Sequence, residues 1–120
     1  MFCDLVHRID GYEKGERMET SFKVEITKYP EFDRFIFHGN IDAHASNYFQ
    51  SLPENVVNTQ VKLDFSQVGR INSMGIALLL RCCKKIRDEK KAEIMLTGVN
   101  TMHAMLFKTT GVFFLAAIER

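Results

Sequence analysis

The sequence has no tryptophan, only two prolines and only three cysteines among its 120 residues. Cys3, Cys82 and Cys83 are odd in number and two are adjacent, so no disulfide framework can be drawn. That usage fits a reducing compartment. His7, His38, His44 and His103 are scattered and form no HxxxH, and the cysteines form no CxxC. No metal and no cofactor is therefore expected, and Cys82 and Cys83 read as ordinary core or surface residues. An excess of charge of one sign is also missing: 16 Lys and Arg stand against 15 Asp and Glu. Without a basic stripe, direct binding of nucleic acid or of an anionic membrane is not expected. The longest apolar run, Val112–Ile118, is too short to cross a bilayer. The first residues carry Asp4, Asp10, Glu13 and Glu16 and no long apolar core, so they do not read as a signal peptide. The expected location is the cytoplasm.

What is present is ordinary for one globular domain: 46% hydrophobic and 26% charged residues. Residues 1–17 read as a polar, aperiodic extension, dispensable for the fold, and the domain as residues 18–120. Phe22, Val24 and Ile26 alternate with polar residues, which predicts a half-buried strand. The turn Tyr29-Pro30-Glu31-Phe32-Asp33 leads to a second strand, Arg34–His38, so the two should form an antiparallel hairpin ended by Gly39-Asn40. Asp42 reads as the N-cap of a short helix that stops near Pro53. Gln60–Ser66 alternates again, with Val61, Leu63 and Phe65 on one side. Gln67–Asn72 is expected as a loop anchored by Val68 and Ile71. Ser73 to about Lys91 is the clearest helix, with Ile76, Leu79, Leu80, Cys83 and Ile86 as its core stripe. Glu93–Val99 is a strand. Asn100 or Thr101 caps a last helix that ends at Gly111, and Val112–Ile118 is expected as a buried final strand. The fold class is α/β: one small domain in the order ββαβαβαβ, a mixed sheet opened by an antiparallel hairpin with helices packed on it.

The informative segment is VKLDFSQVGRINSMGIALLL, from Val61 to Leu80. It delivers Asn72 and Ser73 to the start of a long helix, where free N–H groups favour an anion. The same residues also fit a plain N-cap. Enzymatic readings fail on spacing. A nucleophile elbow needs Gly where Ile71 stands. Gly69 and Gly75 are wrongly spaced for a phosphate-binding P-loop, and Ile76 replaces its Lys. No G-x-G-x-x-G occurs. On a helical wheel Met74, Leu78, Arg81 and Lys85 fall opposite the core stripe. Met74 and Leu78 there form either a protein-binding patch beside Ser73 or a surface that the N-terminal extension covers.

These elements resemble the STAS domain family, typified by bacterial anti-sigma factor antagonists. The family's [I/M]-D-S-S-G-[L/I]-x-x-L-L run is matched by Ile71-Asn72-Ser73-Met74-Gly75-Ile76-Ala77-Leu78-Leu79-Leu80. Its G-x-[L/I]-D element is matched by Gly39-Asn40-Ile41-Asp42, and its late helix ending in T/S-G by Thr109-Thr110-Gly111. The resemblance covers about Ser21–Ile118. It implies a binding switch rather than an enzyme. Ser73 takes the position that an anti-sigma factor with serine kinase activity phosphorylates, and a PP2C-like phosphatase resets it. The dephosphorylated form binds the anti-sigma factor. Asp42 takes the position of the family Asp that aids recognition, and Asn72, Met74, Gly75, Leu78 and Arg81 complete the implied partner surface. Asn72 replaces the family's Asp and Met74 its second Ser. Those departures keep open a second reading, an unphosphorylated STAS scaffold or a small subunit of a signalling assembly or lipid transporter. A response-regulator receiver domain is the remaining rival, with Asp64 near a strand end, but the opening hairpin and the lack of a Lys after the last strand argue against it.

Overall fold

The computed structural model describes residues 22–119; the expectations for residues 1–17 lie outside them. Five strands form one sheet in the order β1 (Lys23–Lys28), β2 (Asp33–Ile41), β3 (Gln60–Ile71), β4 (Glu93–Thr97) and β5 (Ala117–Ile118). The β1–β2 pair is antiparallel and the other three pairs are parallel. The helices are α1 (Ser46–Ser51), α2 (Ser73–Glu89) and α3 (Thr101–Thr110). Short 3₁₀ turns flank α1 at Ala43–Ala45 and Leu52–Asn55, so the helical path runs through Pro53 rather than stopping there. The mixed α/β sheet expected from the pattern is the observed one.

The core follows from strand alternation. Val24 of β1, Phe35 and Phe37 of β2, Val61, Leu63 and Phe65 of β3, and Ile94 and Leu96 of β4 are all buried. An aromatic chain crosses the sheet beneath the helices. Phe22 lies 5.7 Å from Phe37, Phe37 5.3 Å from Phe65, and Phe65 5.2 Å from Phe107 of α3. Each such ring contributes about 1.5–3 kcal/mol by leaving water. The alternate residues of β2 and β3 carry charge: Arg34 pairs with Asp64 at 2.5 Å.

Three elements differ from the sequence expectation. The second strand reaches Ile41, and β3 runs to Ile71, so Gln67–Ile71 is strand and not loop. The β2–β3 register explains why. It steps from Ile36↔Asp64 to His38↔Gln67, and from Gly39↔Val68 to Ile41↔Ile71, so β3 holds one extra residue at each step. Two bulges therefore break the period-2 pattern on which strand recognition depends. The stretch Val112–Ile118 is not one strand. Gly111 takes φ +92°, Val112–Phe114 forms a 3₁₀ turn, and only Ala117–Ile118 pairs with β4. Its apolar content is used in burying Val112, while Phe114 is 87% exposed.

A buried carboxylate locks the hairpin to the far end of the α1 connection. Asp33 accepts hydrogen bonds from the backbone N–H of Val57 (2.6 Å) and Asn58 (3.0 Å), and from the Asn58 side-chain amide (3.0 Å). Burial alone raises its pKa, but these donors and the Lys28 ammonium outweigh it and hold the carboxyl below its usual range.

Candidate functional site

Two helix starts meet at the carboxyl ends of β2 and β3. The last residue of β2, Ile41, accepts a hydrogen bond on its backbone oxygen from the Asn72 N–H at 3.2 Å. One residue further along each chain stand Asp42 and Ser73. Asp42 accepts from the His44 N–H at 2.9 Å and so caps the turn into α1. Asn72 accepts from the Gly75 N–H at 2.8 Å and so caps α2. The cap is thus a neutral amide and carries no charge. Ser73 is the first residue of α2 and is exposed. The Asn72 side chain takes up the Gly75 N–H and the Asn72 carbonyl takes up that of Ile76. The N–H groups of Ser73 and Met74 are left at the positive end of the helix.

Gly75 is what allows this meeting. A Cβ added there would lie 2.1 Å from the Ile41 backbone oxygen. Only glycine lets the first turn of α2 approach the end of β2 so closely. Gly75 is buried, so it shapes the surface rather than lining it. Asn40 adds a second tie, accepting the Arg70 N–H at 2.8 Å. On the other flank the buried His103 of α3 pairs through Nε2 with the Gly69 carbonyl at 2.9 Å. In the register β3 pairs with β4 only as far as Asp64↔Thr97, so His103 covers a carbonyl on an otherwise free strand edge. Neither contact was expected from sequence, where Asn40 entered within the Gly39–Asp42 match and His103 only among the scattered histidines. Asn40 stood at an expected strand end, and nothing in the sequence sets β3 beside His103.

The predicted patch of Met74 and Leu78 is corrected. Met74 is 51% exposed, but Leu78 is 5% exposed. The helical wheel gave α2 one core stripe, whereas α2 has two apolar seams. Ile76, Leu79, Cys83 and Ile86 belong to the core under the sheet, and Leu78 and Cys82 face Phe49 and Gln50 of α1. Between α2 and α1 runs a groove of about 330 Å³, with Phe49, Leu78 and Cys82 in it and Glu54, Arg81 and Lys85 around it. Arg81 is exposed. Cys82 and Cys83 are buried free thiols, and burial pushes the Cys83 pKa up to about 12. Such thiols are inert toward ordinary reagents at neutral pH. Among the described residues no cluster of His, Cys, Asp or Glu could hold a metal ion, and no helix is long and apolar enough to cross a membrane.

A two-helix junction of this kind on a hairpin-opened mixed sheet defines a small α/β domain. The family model of the STAS domain matches residues 23–120, and the chain belongs to the STAS domain family. No curated protein matches it. Among solved structures it is similar to an anti-sigma factor antagonist from Mycobacterium paratuberculosis. The identity is 17%, over 84% of this chain and 87% of that one, with a TM-score of 0.64. It is similar to the Bacillus cell fate determinant SpoIIAA in its phosphorylated form, at 14% identity over 83% of this chain and 92% of that one, with a TM-score of 0.58. A sulfate transporter family protein from Wolinella succinogenes aligns at 11% identity over 72% of this chain and 75% of that one, with a TM-score of 0.64. At these identities the likeness is one of fold.

Proposed function

We propose that this chain is a non-catalytic partner switch of the anti-sigma factor antagonist type. In its unmodified form it binds an anti-sigma factor that is also a serine kinase. Phosphorylation of Ser73 releases it, and a PP2C-like phosphatase restores it. The observation that carries this reading is the exposure of Ser73 at the first position of α2, one residue past the Ile41–Asn72 hydrogen bond that brings Asp42 alongside. A phosphate there adds a charge of about −1.5 to −2. The helix dipole and the uncapped N–H groups of Ser73 and Met74 accommodate it, so the fold is kept. The effect falls on the partner, which meets an unpaired charge whose desolvation is uncompensated. Asp42, Asn72, Met74 and Arg81 form the surface read by that partner, with Leu78 and Gly75 supporting it from beneath.

The test is phosphopeptide mass spectrometry after incubation with a cognate anti-sigma kinase and ATP. Label is expected on Ser73 alone and lost in Ser73→Ala, while Ser73→Asp weakens binding to the partner. Label on the exposed Ser66 instead, or an unchanged affinity in Ser73→Asp, defeats the proposal. Asn72 and Met74 support a second reading, because they remove a negative charge and a hydroxyl from the run a kinase would read. On that reading the chain is a STAS scaffold or a small transporter subunit that is never phosphorylated. A very large particle on gel filtration, with no label on Ser73, selects it.

A further inference from the structure

We propose that the groove between α1 and α2 is the docking site of this chain's own N-terminal segment, with Phe2, Leu5, Val6 and Ile9 on its apolar floor. The four residues stand at i, i+3, i+4 and i+7, the spacing of one helical face. The polar run from Asp10 to Arg17 hides that stripe when the first seventeen residues are read together. Glu13 and Glu16 continue the same face, four and seven residues beyond Ile9. A ligand of this pattern is apolar for two turns and then acidic.

The groove has the matching order. Phe49, Leu78 and Cys82 supply an apolar floor, and Arg81 and Lys85 supply two cations a helical turn apart, against the single carboxylate of Glu54. Among the described residues neither cation has an ion-pair partner, whereas the neighbouring Lys84 is held by Asp88 at 2.9 Å. The point at which the described chain begins also favours this occupant. Phe22 stacks on Phe49 with ring centroids 5.6 Å apart, and Phe49 lines the groove. Ile9 precedes Phe22 by thirteen residues, which span up to about 43 Å. A segment tethered so close to its site binds at an effective concentration in the millimolar range, so modest contacts suffice. The exposed Met102 and Met105 of α3 offer a competing apolar surface. That helix lies between β4 and β5 at the other edge of the sheet, and its only charged residue is the basic Lys108.

The docking needs no partner protein and is tested without one. In the full chain a nitroxide is placed on Cys3, with a Cys3→Ser chain treated alike as control, because Cys82 and Cys83 are buried. Paramagnetic broadening is then read by NMR. The amide signals of Gln50, Arg81 and Lys85 should be lost, and Leu5→Asp combined with Ile9→Asp should restore them. Broadening centred on Met102 and Met105 would place the segment on α3 and overturn the proposal. So would uniform broadening, or broadening of the groove that appears only when spin-labelled and isotope-labelled chains are mixed, which would make the occupant a second copy.

Discussion

At the scale of single residues, the buried carboxylate of Asp33 holds the hairpin to the end of the α1 connection. It accepts three hydrogen bonds and neighbours the Lys28 ammonium at 3.6 Å. Asp33→Asn keeps the volume, removes the charge and turns an NH₂ group toward backbone donors. It should destabilise the protein by about 2–3 kcal/mol at pH 7. Because the folded pKa lies below the unfolded value, this stabilisation is complete above the unfolded pKa of about 4 and is lost as pH falls through the folded one. Asp64 acts in the same direction. Burial raises its pKa, but the Ser66 amide and hydroxyl and the Arg34 guanidinium outweigh that and lower it. Urea unfolding at pH 7 and pH 3 should therefore show the gap between wild type and Asp33→Asn closing at the lower pH. An unchanged gap would mean that the carboxylate charge plays no part.

Leu78 shows how a residue-scale expectation changes with packing. On a surface, Leu78→Lys would be a mild probe of partner binding. Buried at 5% exposure against α1, it leaves a lysine to desolvate and should lose several kcal/mol, in the range of severe core mutations. Met74→Lys is the proper surface probe. Thermal melts should show Met74→Lys within about 0.5 kcal/mol of wild type and Leu78→Lys strongly destabilised. If the two melt alike, the second seam of α2 is wrongly placed.

At the scale of elements, α2 and its junction with β2 position the site, and Gly75 is the sensitive point. Gly75→Ala puts a methyl group against the Ile41 carbonyl, a backbone atom that cannot move without shifting the end of β2. The intrinsic helix preference of Ala, worth about 1 kcal/mol, is outweighed by that clash. The variant should melt lower, and its amide shifts should change at Asp42 and Ser73 rather than along the outer face of α2. Much of this level was legible in advance. Strict alternation marked β1 and the first half of β3, the 3/4 spacing marked α2, and Asp42, Asn72 and Gly111 cap helix ends as their chemistry suggested. The far half of β3 was not legible, because two bulges reset its period and Gln67 and Gly69 fall out of phase. The last strand was misread for the opposite reason. Seven apolar residues in a row look like a buried strand, but one left-handed Gly111 turns the first of them into a 3₁₀ cap.

At the scale of the whole molecule, Arg81 joins the two proposals. It belongs to the surface proposed for the partner, and it lines the groove proposed for the N-terminal segment. Both cannot use it at once, so a docked segment lowers the population competent for the partner. A segment docked nine-tenths of the time weakens the apparent affinity about tenfold, since only the remaining tenth is free to bind. The double variant Leu5→Asp, Ile9→Asp should therefore bind an anti-sigma partner about tenfold more tightly than wild type, with an unchanged melting profile for the core. A binding titration paired with the Cys3 broadening measurement separates the possible failures. Lost docking with no gain in affinity means that the groove and the partner surface do not overlap, and the switch at Ser73 then stands by itself. Absent docking in the wild type removes the segment from the groove whatever the partner does. Docking that persists when no partner binds under any condition leaves the groove its occupant and removes the switch, because the segment then folds back on a STAS domain that serves some other assembly.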